Sequence, residues 1–147
     1  MNGYVRNTKP FVYRGNVIDD FTITFENGKI IEAKATVGES LLQDLIKADE
    51  GSAYLGEVAL VPHESPISSS NILYFNTLFD ENASNHLAIG AAYPTCFEGG
   101  RDLSEEQLEE IGINVSVTHE DFMIGSAEMN IEAILEDGTV EPLHFLQ

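Results

Sequence analysis

Two turn signals, Asn27-Gly28 and Asp137-Gly138, each separate two runs of strand-forming residues, and they limit the fold more than any other feature of the chain. A two-residue Asn-Gly or Asp-Gly loop tolerates positive φ at both positions and so closes an antiparallel hairpin. Phe21-Thr22-Ile23-Thr24-Phe25 alternates into the first turn and Lys29 to Ala35 returns from it. Ile131 to Leu135 leads into the second, and Val140 to Phe145 returns. Phe11 to Ile18 supplies one or two more strands around Gly15-Asn16. Between the hairpins the pattern predicts helices. One runs from about Ser40 to Ala48, with Leu41, Leu42, Leu45 and Ile46 at helical spacing, and ends near Gly51. A second lies within Ala83 to Tyr93 and cannot pass Pro94. A third follows Ser104, an N-cap with Gln107 three residues on, and stops at Gly112. Ser65 to Ser70 reads as a loop. Hairpins at both ends without regular βαβ alternation predict an α+β domain with a curved, mainly antiparallel, barrel-like sheet and two to three helices.

The 147 residues suffice for one domain with a core of its own, and 43% hydrophobic content is too high for a disordered chain. No apolar stretch approaches the roughly 20 residues of a membrane span, and no secretory signal opens the chain. Cys96 is the only cysteine, which precludes an internal disulfide and favours a cytoplasmic setting. The net charge of −18 is uneven: residues 1–47 hold six Lys/Arg against six Asp/Glu, whereas Arg101 alone faces nineteen acids in residues 48–147. Such a surface repels phosphates and excludes nucleic acid as a partner. It suits divalent cations or substrates with a free ammonium group, or it simply keeps the protein in solution.

Three segments break the local pattern, which is where chemistry tends to reside. Tyr54 to Val61 reads as a buried strand whose one charge, Glu57, shares a side with Leu55, Ala59 and Val61. A carboxylate buried there requires a partner or a metal; the alternative is a strand-end Glu reaching solvent. In Val115 to Ile124, alternation puts His119 and Asp121 on the more apolar face with Val115, Val117 and Met123. A His-x-Asp pair on a strand offers an imidazole nitrogen beside a carboxylate, a combination that divalent metals accept. In Asn85 to Tyr93, His86, Gly90 and Tyr93 fall along one face of the expected helix, although a core histidine satisfied by a backbone carbonyl explains His86 equally well. His63, His144 and Cys96 lack a second ligand at a suitable spacing. Spacing alone therefore yields a candidate metal site of Glu57, His86, His119 and Asp121, with no chemistry assigned.

The same segments resemble those of the thermophilic-type metallo-aminopeptidases, the family of aminopeptidases T and S. Tyr54-Leu55-Gly56-Glu57-Val58-Ala59-Leu60-Val61-Pro62 resembles the family's glutamate segment. Leu78 to Ala88, continued by Ala91-Ala92-Tyr93-Pro94-Thr95-Cys96, resembles its first histidine segment, and Thr118 to Ser126 its His-x-Asp segment. The resemblance runs from about Thr8 to Glu141 and covers about the last third of the enzyme. It implies that residues 1–147 are the C-terminal metal-binding domain, with the family's N-terminal α/β domain and a further upstream glutamate outside the chain. It further implies Glu57 as a bridging metal carboxylate and His86, His119 and Asp121 as further ligands. Tyr93 becomes a metal-site residue, either a ligand or a stabiliser of the transition state. The expected cofactors are two divalent ions, zinc or cobalt, with magnesium or manganese as alternatives. The expected activity is release of N-terminal residues from peptides with a free N-terminus, through a water activated by both ions, in a cytoplasmic homodimer. This chain alone is expected to be inactive. The competing expectation is a non-catalytic acidic module that binds metal or peptide on the same fold.

Overall fold

The structure, a computed structural model, describes residues 1–143. It opens with β1 (Gly3–Arg6), β2 (Phe11–Tyr13), β3 (Asn16–Glu26) and β4 (Lys29–Val37). β3 is the hub and pairs antiparallel with β1, β2 and β4. Asn27 and Gly28 both take positive φ, as the hairpin signal requires. A left-handed Asp20 shifts the side-chain parity of β3, so that Ile18 as well as Phe21, Ile23 and Phe25 is buried.

Helix α1 (Glu39–Ile46) follows and buries Leu42 and Leu45 against the sheet. Then come β5 (Leu55–Ala59), the single turns α2 (Pro66–Ser69) and α3 (Thr77–Asp80), and β6 (His86–Gly90). Helix α4 (Glu105–Glu110), β7 (His119–Met123) and a closing hairpin of β8 (Glu132–Ile134) and β9 (Val140–Pro142) complete the described chain. The second sheet has the order β5-β6-β7, antiparallel throughout. Phe21 joins the two sheets through edge-to-face contacts, with Phe11 at 5.6 Å and with Phe122 at 5.4 Å between ring centroids. Such pairs contribute about 0.5–1.5 kcal/mol beyond the area they bury.

The fold is α+β and mainly antiparallel, but among the described residues its sheets are open rather than closed into a barrel. Two further expectations need correction. Ser65 to Ser70 is not loop throughout: Pro66 takes the first helical position and Ser65 caps the turn by accepting from the Ser68 N–H. More consequentially, the helix expected within Ala83 to Tyr93 is strand β6. All five of its residues are buried, so it lacks the alternation that marks a half-exposed strand. The end of the last expected strand, including His144 and Phe145, lies outside the described residues.

Helix α4 begins as its sequence indicates. The Ser104 hydroxyl accepts from the Gln107 N–H, and the Gln107 side chain accepts from the Ser104 N–H. Ser104→Ala should cost about 1 kcal/mol. That loss would be read as a lower urea midpoint at unchanged slope.

Candidate metal centre

The register of the second sheet builds the site. Glu57 of β5 and Asp121 of β7 lie opposite Ala88 on either side of β6, so the two carboxylates rise from the same face with a methyl group between them. His86 lies two residues before Ala88 in β6, and His119 two residues before Asp121 in β7, so period-two alternation puts both imidazoles on that face. Leu87, Ile89 and Phe122 alternate to the other face and enter the core. The strand correction therefore preserves the inward position of His86 while replacing its cause. The expected helical alignment of His86, Gly90 and Tyr93 does not exist, because Gly90 has φ +98° and ends the strand.

Distances are short. Glu57 Oε1 lies 3.5 Å from His86 Nε2, and Glu57 Oε2 lies 3.5 Å from His119 Nε2, which is also 3.5 Å from Asp121 Oδ2. Glu57, His86 and Asp121 each offer a ligand atom within 4.8 Å of the others. The far nitrogen of each ring is tied to the main chain. His86 Nδ1 is 3.1 Å from the Ser84 carbonyl, and His119 Nδ1 is 2.7 Å from the Ala91 carbonyl. A carbonyl can only accept, so both Nδ1 atoms carry hydrogen and, in the neutral rings, both Nε2 lone pairs face the carboxylates. Metal-binding histidines are oriented in this way by an outer hydrogen bond.

The electrostatics brings in a residue that sequence reasoning missed. Burial pushes the Glu81 carboxyl up, and the charge of Asp121, close enough to share a proton with it, and that of Glu57 push the same way against His86. Glu81 sits in a single 3-10 turn just before β6. Its signal was its place five residues before His86, but no strand or helix period leads to it. A hydrogen bond with Asp121 raises His119 to about 9 against the effect of burial, with help from the Ala91 carbonyl and the charge of Glu57. The ring of Tyr93 packs against His119 at 4.6 Å between centroids. Burial and the charges of Asp121, Glu57 and Glu81 push its phenol up. Three carboxylates and two imidazoles thus converge, a donor set that fits a divalent metal.

Sequence reasoning overstated the burial of β5, since Val58 and Leu60 are exposed and only the face that carries Glu57 is half-covered. It also extended β7 too far, because Val115 to Val117 precede the strand and Val117 is 82% exposed. His63 and Cys96 are exposed.

The approach to β7 is fixed by Asp49. Its carboxylate accepts from the Ser52 hydroxyl at 2.7 Å, the Ser116 hydroxyl at 2.8 Å and the Val117 N–H at 2.6 Å. Burial raises its pKa, but these donors outweigh burial and hold the carboxyl at about 2. A carboxyl depressed by folding stabilises the fold above its unfolded pKa, and the stabilisation disappears as pH falls through the folded value. The stability difference between the wild type and Asp49→Asn should therefore shrink from pH 3.8 toward pH 2, as urea midpoints at each pH would report.

Fold and site define an α+β domain with a candidate metal site, and the comparison with known proteins makes the class specific. Residues 1–145 match the thermophilic metalloproteases of family M29, and the chain belongs to that family. It is 60% identical to Aminopeptidase AmpS of Bacillus subtilis over 143 residues, and 43% identical to Aminopeptidase T of Thermus thermophilus over the same length. Each match covers 97% of this chain, which spans 35% of the length of either relative. The solved structure of wild-type AmpT from Thermus thermophilus superposes with a TM-score of 0.85 at 42% identity, covering 96% of this chain and 34% of that one. Among the described residues, no helix is long and apolar enough to cross a membrane.

Proposed function

We propose that the chain supplies the metal-binding part of an aminopeptidase that releases single residues from peptide N-termini. The observation that carries this reading is the pair of imidazoles, each anchored through Nδ1 to a backbone carbonyl with Nε2 turned to shared carboxylates. Glu57, His86, His119 and Asp121 would hold the metal, with Glu81 as an added carboxylate. When bound, two divalent ions, zinc or cobalt, supply Lewis-acid polarisation of the scissile carbonyl and a water activated near neutral pH. The chain's own residues do the rest. The negative charge concentrated at Glu57, Glu81 and Asp121 steers the substrate's N-terminal amine toward the centre. Tyr93, held protonated by burial and by those carboxylates, offers its hydroxyl as a donor to the developing oxyanion. The Ser84 and Ala91 carbonyls keep both rings from rotating as charge develops. A cytoplasmic location and homodimeric assembly belong to the same reading, on the family likeness alone.

The test is a chimera in which this chain replaces the matching 143 residues of the Bacillus subtilis AmpS. With Zn²⁺ or Co²⁺, the chimera should release nitroaniline from aminoacyl-nitroanilides, and Glu57→Gln in the chimera should not. The chain by itself should show little turnover, because it spans 35% of that relative. A folded, metal-loaded chimera that is silent on every aminoacyl substrate would leave a non-catalytic binding module as the better account.

A further inference from the structure

Among the described residues, β7 pairs with no strand but β6, and its other edge is bonded at Met123 but carries no strand beside the acidic centre. Two hydrogen bonds fix which residues face that edge. The Thr118 carbonyl and the Ile124 N–H both bond toward the β6 side, to Ala91 and Asn85. The residues between alternate, so His119, Asp121 and Met123 direct their main-chain groups away from β6. Met123 agrees, since its carbonyl accepts from the Thr8 N–H at 2.9 Å. No described residue hydrogen-bonds to the main-chain N–H or C=O of His119. At that point along the edge lies a cavity of about 500 Å³, bounded by Val12 and Arg14 at the end of β2, by Thr77, and by Thr118, His119 and Glu120. His119 therefore belongs to two places: its Nε2 faces Glu57 and Asp121, and the residue also lines this cavity.

We propose that this cavity receives the part of the peptide that follows the cleaved bond, with Arg14 recognising its C-terminal carboxylate. The inference rests on the aminopeptidase reading above and adds to it a subsite with a stated chemistry. A peptide whose N-terminus lies at the acidic centre and whose chain runs past His119 enters the cavity. There the unpartnered N–H and C=O of His119 meet the substrate main chain as an added strand, a mode of recognition that ignores side-chain identity. An extended tripeptide measures about 10 Å, which makes Leu-Gly-Gly a suitable probe of a path from the acidic centre into the cavity. Among the described residues, Arg14 is the guanidinium that lines the cavity; it lies over the Tyr13 ring at 5.0 Å, its charge acts on Glu120, and its fork of donors matches a carboxylate. Short peptides with a free carboxyl end are thus the substrates favoured over amidated ones.

The test is titration of the 15N-labelled chain in EDTA, where turnover cannot occur, with Leu-Gly-Gly, its C-terminal amide and N-acetyl-Leu-Gly-Gly. The free acid should bind about fivefold more tightly than the amide, as expected for one partly exposed ion pair. It should shift the amides of His119 and Glu120, and Arg14→Gln should erase the preference while leaving the amide's affinity unchanged. Equal binding of acid and amide, a preference that survives Arg14→Gln, or no shift at His119 and Glu120 would overturn the subsite. The acetylated peptide separates the two claims. If it binds as tightly as Leu-Gly-Gly and the Arg14-dependent preference holds, the subsite stands and the aminopeptidase reading fails. If acetylation abolishes binding but acid and amide bind alike, the aminopeptidase reading stands and the subsite fails.

Discussion

Glu57→Gln should weaken Zn²⁺ binding by more than about 100-fold, because loss of an outer hydrogen-bond partner alone costs roughly 10–100-fold and a direct ligand matters more. The substitution keeps shape and removes charge. Glu57 is the residue whose two oxygens face the two imidazoles, each at 3.5 Å, so a carboxamide there keeps one oxygen at most and loses the charge. The fold should survive with little change, since the substitution relieves repulsion with Glu81 while giving up attraction to His119. Competition against a chromophoric chelator measures the affinity, and thermal unfolding of the metal-free chain checks the fold. Unchanged zinc affinity in a chain that melts normally would remove Glu57 from the site.

Gly90→Ala should destabilise the chain by about 3–4 kcal/mol, combining overpacking with left-handed backbone strain. An added Cβ would lie 2.2 Å from the Thr118 carbonyl oxygen, on backbone with φ +98°. The nearest contact is with backbone rather than a flexible side-chain tip, so the strand end itself must move. That carbonyl accepts from the Ala91 N–H, and Ala91 in turn anchors the His119 ring, so zinc affinity should fall along with stability. Gly15→Ala is the control. Gly15 also has positive φ, +77°, but nothing lies within 4 Å of its added carbon, so about 1–2 kcal/mol is the expected cost. Urea titrations of both variants would compare them, and equal effects would show that the close approach at Thr118 is not the cause.

The hairpin of Asn27-Gly28, helix α1 and the capping box at Ser104 were legible because each is decided locally, by turn chemistry, apolar spacing or a cap. Strand β6 was not. His86-Leu87-Ala88-Ile89-Gly90 is covered on both faces, and an apolar run without alternation reads as helix or strand alike. Its identity is set by β5 and β7, which lie far away in sequence. The pairing of His119 with Asp121 was legible from a period of two, whereas their meeting with Glu57 across Ala88 depends on register between strands. The family likeness pointed to the four proposed ligands but not to Glu81, which reaches the centre from a single turn. Sheet closure was over-read for a related reason, because hairpin signals specify neighbours and say nothing of whether the outer strands meet.

The position of Ala88 between Glu57 and Asp121 has a kinetic consequence. The groups on either side of that methyl come from strands 64 residues apart in sequence, and no short stretch contains a complete set of donors. In a zinc finger, neighbouring ligands let the ion gather the chain and drive its folding. Here non-local pairing must come first, with the loop-closure entropy and slower rate that accompany it. Refolding rates should therefore be insensitive to zinc, while unfolding slows as the ion is added. Metal would act on this chain as a lock applied after assembly and not as a nucleus for it.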